Sequence, residues 1–142
     1  MQICIDFDGT CVSHEFPNVG NDIGSVSVLK ELVNQGHQLI LFTMRSDIKN
    51  VKTSNPTITN VEGNYLTAAV EWFHKNEIQL YGINRNPEQD DWTASPKAYG
   101  QLYIDDAALG CPLKMDISIS NRPFVDWNII RKVLVGMNIL KQ

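Results

Sequence analysis

The stretch Ile3-Cys4-Ile5-Asp6-Phe7-Asp8-Gly9-Thr10 lies at the head of the chain, and its reading sets the fold. Ile3, Cys4, Ile5 and Phe7 form a short apolar run, β-branched at two positions, that stops at Asp8-Gly9. That pattern is a strand running into a turn. Leu39-Ile40-Leu41-Phe42 is apolar at every position, as expected of a strand covered on both faces. Leu80-Tyr81-Gly82-Ile83 and Leu102-Tyr103-Ile104 read as a third and a fourth strand, and Ile117-Ser118-Ile119 as a weaker fifth. Between the first two, Ile23, Val26, Leu29, Leu32 and Val33 recur at helical spacing, with Asn21 or Asp22 as a cap and Gly36 as a stop. Leu66, Ala69, Val70 and Phe73 form a second helical stripe. A last helix opens at Asp126, with Ile129, Ile130, Val133, Leu134 and Met137 on its buried side. Strands alternating with helices predict βαβ units, a mainly parallel α/β sheet and helices on both of its faces.

Composition agrees with one domain. A chain of 142 residues lies within single-domain size and buries about two-thirds of the surface its unfolded form exposes. The 43% hydrophobic and 20% charged fractions argue against a disordered or fibrous protein. A formal charge of −4 argues against broad attachment to nucleic acid or acidic lipid, so no nonspecific nucleic-acid binding is expected. Cys4, Cys11 and Cys111 form no C-x-x-C pair, and their odd number points to free thiols in a reducing cytoplasm. The N-terminus lacks the apolar run of a signal peptide, and no stretch approaches 18 uninterrupted apolar residues, so no membrane span is expected. There is no internal repeat or linker, and residues 1–142 are read as a single domain. Residues 45–62, around Asn55-Pro56, and residues 84–96, with Glu88, Asp90, Asp91 and Trp92, fit neither element. Loops of that length are usually functional or mobile.

Ligands of an open parallel sheet bind beyond the carboxyl ends of its strands. The first strand delivers Asp6 and Asp8 there, the second Thr43 and Arg45, and the fourth Asp105 and Asp106, with Lys97 just ahead of it. Two carboxylates about 4 Å apart repel by roughly 4 kcal/mol at an effective dielectric near 20. Such a cluster keeps protons or binds a divalent cation, and an all-oxygen site with few carboxylates suits Mg²⁺. Strand periodicity points Asp6 and Asp8 to one side, so one can attack a bound phosphorus while the other manages protons. Arg45, Lys97 and Mg²⁺ would neutralise the transferring group.

This set resembles the haloacid dehalogenase superfamily of phosphohydrolases. The matching residues are Asp6-Phe7-Asp8-Gly9-Thr10, Thr43 after Leu41-Phe42, Lys97, and Asp105-Asp106 after Leu102-Tyr103-Ile104, over residues 1 to about 110. The resemblance implies a Rossmann-like three-layer domain with about five strands. It also implies Asp6 as nucleophile and Mg²⁺ ligand, and Asp8 as general acid/base with its backbone carbonyl on the metal. Thr43 would bond the phosphoryl oxygens, and Lys97 would steady the nucleophile and the phosphoryl charge. Asp105 is the expected direct metal ligand, with Asp106 sharing that role or acting through water. Gly9, Thr43 and Arg45 are the expected substrate contacts. Neither place where the family inserts a cap domain, here residues 11–21 and 84–96, is long enough for one. Closure then falls to residues 45–62, to residues 84–96, to a second copy of the chain in a homo-oligomer, or to a large substrate.

The expected activity is Mg²⁺-dependent hydrolysis of a phosphomonoester, on a small molecule or on the phosphorylated end of a larger one. The second aspartate speaks against dehalogenation, which needs no leaving-group proton. A phosphoacceptor module of the receiver type places its phosphorylated acid after the third strand, and here that strand ends Ile83-Asn84-Arg85. A catalytically silent binding or scaffold protein of the same fold is the other alternative. Cys11 reads as a packing residue, His14 and Glu15 as solvated loop residues, and Trp92 as either a ligand wall or a loop anchor.

Overall fold

The polypeptide runs β1 (Gln2–Ile5), α1 (Ser25–Asn34), β2 (Gln38–Leu41), β3 (Asp47–Ile48), β4 (Gly63–Asn64), α2 (Tyr65–Lys75), β5 (Leu80–Ile83), β6 (Leu102–Ile104), β7 (Leu113–Lys114), β8 (Phe124–Val125) and α3 (Trp127–Gly136). This is the order in the computed structural model, which describes residues 1–49 and 62–142. Four strands form one parallel sheet in the order β5-β2-β1-β6. Ile3 stands beside Leu39 and Leu102, and Ile5 beside Leu41 and Ile104. The main chain is therefore the α/β architecture expected, with four strands in the sheet rather than about five. Residues 117–119 form a turn in place of the fifth strand. The Asp116 carbonyl accepts from the N–H groups of Ile119 and Ser120, and the Asp116 carboxylate accepts from Ser118 N–H. An aspartate that bonds the backbone two residues on closes a turn and competes with a ladder.

Side chains alternate across the sheet, and the two faces are covered differently. Ile3, Ile5, Leu39, Leu41 and Ile104 share one core with Leu29 and Leu32 of α1, Ala69 and Phe73 of α2, and Trp127, Ile130 and Leu134 of α3. Cys4 and Ile40 face the other way and pack with Ala98, Phe42, Tyr81 and Tyr103. All three helices thus lie on one face, which corrects the expectation of helices on both. Right-handed crossovers supply the reason. Steps from β1 to β2 and from β2 to β5 run in one direction and place α1 and α2 on one side. The return from β5 past β1 to β6 runs in the opposite direction and must cross the other face.

That return crossover is residues 84–101, with a single 3₁₀ turn at Gln89–Asp91 in place of a helix. Two buried amides pin it. Gln89 accepts from Asn86 N–H and Tyr99 N–H and donates to the carbonyls of Ser95 and Lys97. Asn86 donates to Gln2 and to the Tyr99 carbonyl. The long 84–96 stretch is therefore the cover of a sheet face.

Helix ends follow local chemistry. Asp126 caps α3, accepting from the N–H groups of Asn128 and Ile129. Helix α1 begins later than Asn21 or Asp22, after Gly24 in the left-handed region, whose N–H bonds the Asp22 carboxylate. Gly36, at φ +85°, lies just beyond the end of α1. On α3 the buried stripe is Trp127, Ile130 and Leu134, while Ile129, Val133 and Met137 are exposed. With no fifth strand beside β6, that flank of the helix has nothing to pack on. No helix among the described residues is long and apolar enough to cross a membrane.

Candidate active site

Strand β1 hands over to a tight turn. Asp6 N–H still bonds the Ile104 carbonyl of β6 at 3.0 Å, so Asp6 leaves the sheet in register. The Phe7 carbonyl then accepts from the N–H groups of Thr10, Cys11 and Val12. Phe7 itself is fully buried against Trp72 and Phe73 of α2. The Thr10 carbonyl accepts the indole N–H of Trp127 at 2.7 Å, and the Gly9 carbonyl accepts Val125 N–H. Strand, turn and α3 thus hold the residues after β1 from three sides. Gly9 has φ +79°, and a Cβ there would stand 2.5 Å from Asp106 Oδ2. Its role is close approach of β1's turn to the end of β6, and it does not line the cavity as a substrate contact, contrary to the sequence reading.

A cavity of about 490 Å³ opens at the carboxyl ends of the strands. Asp6, Asp105 and Asp106 form its acidic part, each offering one oxygen within 4.8 Å of the others. Burial pushes the Asp6 carboxyl up to about 7, and the charges of Asp105 and Asp106 add to that. Burial and then Asp105 raise Asp106 as well. The Thr10 hydroxyl joins the pair, accepting Asp106 N–H at 3.0 Å and lying 3.2 Å from Asp6 Oδ2 and 3.4 Å from Asp106 Oδ1. Asp105 Oδ1 accepts Ala107 N–H at 2.8 Å. Three converging carboxylates, two of them pushed up by burial and neighbouring charge, with oxygen donors only, fit a small hard divalent ion such as Mg²⁺. Both Asp105 and Asp106 belong to this set. The Asp8 carboxylate does not, since it turns toward Arg45.

Arg45 is buried, and every N–H of its guanidinium has an acceptor. Nε and one terminal nitrogen bond Asp8 Oδ2 and Oδ1, both at 2.6 Å. That terminal nitrogen also bonds the Asn18 carbonyl at 2.7 Å, and the other bonds the carbonyls of Pro17 and Tyr65. The rings of Phe7 and Phe16 flank its carbon at 5.0 and 5.2 Å. A guanidinium has five donors, and here none is left for a substrate phosphate. The expected phosphate grip of Arg45 is therefore replaced by a bidentate hold on Asp8.

Thr43 lines the cavity as expected. Its N–H is tied to Asn84 Oδ1 and its hydroxyl oxygen accepts Arg45 N–H, which leaves the hydroxyl hydrogen to donate. Lys97 is not brought in. It belongs to the return crossover, its ammonium stands 5.2 Å from the Tyr103 ring centre, and it lines a separate hollow with Trp92, Tyr99 and Gly100. The return crossover leaves Lys97 beside the middle of β6 instead of its carboxyl end. None of residues 84–97 lines the acidic cavity, so closure by 84–96 is not what the structure shows. Of residues 45–62, the stretch 50–61 lies outside the described residues. Its flanks β3 and β4 pair antiparallel, and Asp47 accepts from Thr67 at the start of α2.

Cys11 is fully buried, as read from the sequence, with its thiol on the Asp6 carbonyl. Thr10 was legible only as part of the Asp8-Gly9-Thr10 turn, and its bridging role came with the fold. His14, Phe16 and Met44 also line the cavity. His14 Nδ1 stands 3.2 Å from an Arg122 nitrogen, a pairing across 108 residues that no local pattern signals.

The whole chain is similar to a solved structure of a conserved protein from Bacteroides thetaiotaomicron. The two are 30% identical and superpose with a TM-score of 0.67, over 97% of this chain and 91% of that one. No family model and no curated protein matches the sequence.

Proposed function

We propose that this chain, which belongs to one family with that conserved Bacteroides thetaiotaomicron protein, is a Mg²⁺-dependent phosphomonoester hydrolase of the haloacid dehalogenase type. The observation that carries the reading is the three-carboxylate cluster of Asp6, Asp105 and Asp106, with Asp8 and Thr43 facing the same cavity. Asp6, Asp105 and Asp106 would hold Mg²⁺, which would supply the positive charge that lets Asp6 ionise and that offsets the phosphoryl oxygens.

Asp6 attacks phosphorus, and the bond to the leaving oxygen breaks as that oxygen takes a proton that Asp8, a carboxylate on Arg45 at rest, has first drawn from solvent and later returns there. Asp8 then takes a proton from water, whose oxygen attacks the aspartyl-phosphate and releases inorganic phosphate. Thr10 keeps Asp6 in one orientation, and Thr43 donates its hydroxyl hydrogen to a phosphoryl oxygen. Arg45 fixes the plane of the Asp8 carboxylate, and each oxygen of that group keeps an acceptor position besides the one Arg45 uses. We place the protein in a reducing cytoplasm, in keeping with its free thiols, two of them buried.

The separation of Lys97 from the cavity favours a second reading, a binding protein of the same fold without turnover. Hydrolysis of p-nitrophenyl phosphate with and without Mg²⁺ tells them apart. The hydrolase reading expects Mg²⁺-dependent turnover that falls at least about 10³-fold in Asp6→Asn. Turnover untouched by that substitution overturns the assignment of the nucleophile. Calorimetric Mg²⁺ binding without turnover on a panel of phosphomonoesters supports the silent alternative.

A further inference from the structure

The cavity holds more negative charge than its own cations answer. Asp6, Asp8, Asp105 and Asp106 lie along it, and Arg45 spends all five donors inside the protein. Lys97 faces Tyr103 in another hollow. Among the described residues, one further cation stands at the rim. An Arg122 terminal nitrogen donates to His14 Nδ1 at 3.2 Å, and His14 is part of the cavity wall. Accepting at Nδ1 leaves the neutral His14 ring with its proton on Nε2, a second donor beside the arginine. Arg122 enters no ion pair among the described residues, and its guanidinium is exposed.

Its position is built. Arg122 N–H bonds Ser120 Oγ at 3.3 Å, and Ser120 Oγ donates to Glu15 Oε1 at 2.9 Å. Ser13 Oγ donates to the same Glu15 oxygen at 3.3 Å, and the Asn21 amide donates to the Ile119 carbonyl at 2.8 Å. The turn 116–120 is thereby clamped to the loop after β1. Past Pro123, Phe124 and Val125 of β8 are fully buried. Arg122 is delivered to the cavity's mouth from a fixed base.

We infer that Arg122, with His14, is an anion-recognising subsite, and that the substrate is a phosphomonoester carrying a second anionic group, a carboxylate or another phosphate. The inference rests on the phosphohydrolase reading. Arg122 touches His14 of the cavity wall and does not itself line the cavity, so it meets a group beyond the transferring phosphoryl. A guanidinium with four N–H groups uncommitted among the described residues takes a planar or tetrahedral oxyanion in two-point fashion.

Two non-hydrolysable probes test it by calorimetry in Mg²⁺: methylphosphonate, with one anionic end, and 3-phosphonopropionate, with two. The wild type is expected to bind 3-phosphonopropionate about tenfold more tightly. Arg122→Gln is expected to erase that preference while leaving methylphosphonate affinity unchanged, which also shows that the variant is folded. Equal affinity of the wild type for both probes, or a preference that survives Arg122→Gln, overturns the subsite and leaves the phosphohydrolase reading standing. A wild type that binds neither probe overturns that reading, and the subsite falls with it.

Discussion

At Arg45 a single side chain ties together the turn after β1, the 16–18 loop, the end of β2 and the start of α2. Removing it leaves the Asp8 carboxylate, 12% exposed, without its counter-charge and three carbonyls without their donor. Breaking a buried pair from one side costs about 3–5 kcal/mol. Arg45→Ala is expected to lose that much in urea denaturation, with Arg45→Lys recovering only part, because an ammonium cannot fork onto both oxygens. A loss under about 1 kcal/mol would show the pair to be effectively solvated. Asp6 makes the opposite kind of contribution. Burial pushes its carboxyl from an ordinary 3.8 up to about 7 in the fold, so the native state binds more protons than the unfolded one between those values. Metal-free stability therefore falls as pH rises from about 4 to about 7 and is flat above, by on the order of 4 kcal/mol at most. Urea midpoints of metal-free wild type and Asp6→Asn at pH 5 and pH 8 check this. The variant is expected to gain on the wild type as pH rises, and a constant gap would refute the burial of that charge. Asp6 and Asp8 were legible as site residues because their spacing is local. Arg45's partners were not, since all four, Asp8, Pro17, Asn18 and Tyr65, arrive from other segments.

Among the elements, α3 braces the site without lining its cavity. Its first residue, Trp127, is buried and donates to the Thr10 carbonyl, so the helix start braces the turn that carries Asp6, Asp8 and Thr10. Its cap, Asp126, satisfies two N–H groups of the first turn. Asp126→Ala is expected to cost about 1 kcal/mol, seen as a lower urea midpoint with an unchanged slope. No loss would mean that the N-terminus of α3 is held by Trp127 alone. That the last helix opens at Asp126 was readable from sequence, and its capping bonds to Asn128 and Ile129 came with the structure. The stripe of α3 was only half readable. Ile129, Val133 and Met137 have the right spacing for a buried face, yet the face that turns inward depends on which strand lies beneath it. Ile117-Ser118-Ile119 misled for a related reason, since the Asp116 side chain closes a turn where apolar alternation alone suggests a strand.

In the molecule as a whole, the direction of each crossover decides what meets the cavity. Moving outward from β1 through β2 to β5 stacks α1 and α2 on one face, and the return to β6 lays residues 84–101 across the other. That return carries Lys97 into a hollow of its own and turns a stretch that looked like an active-site loop into structural cover. The clamp between Glu15 and Ser120 brings Arg122 to the mouth instead. By itself the sequence determined the α/β class, the four sheet strands, the start of α3 and the gathering of Asp6, Asp8, Thr43, Asp105 and Asp106 at one edge. All of these follow from local periodicity and from the rule that strand ends share an edge. Only the tertiary structure decided that the helices share one face, that Arg45 is spent on Asp8, that Gly9 backs Asp106, and which cation stands at the cavity. Those outcomes depend on contacts between segments far apart in the chain, where the donor count of a guanidinium and the handedness of a crossover act and local spacing carries no signal.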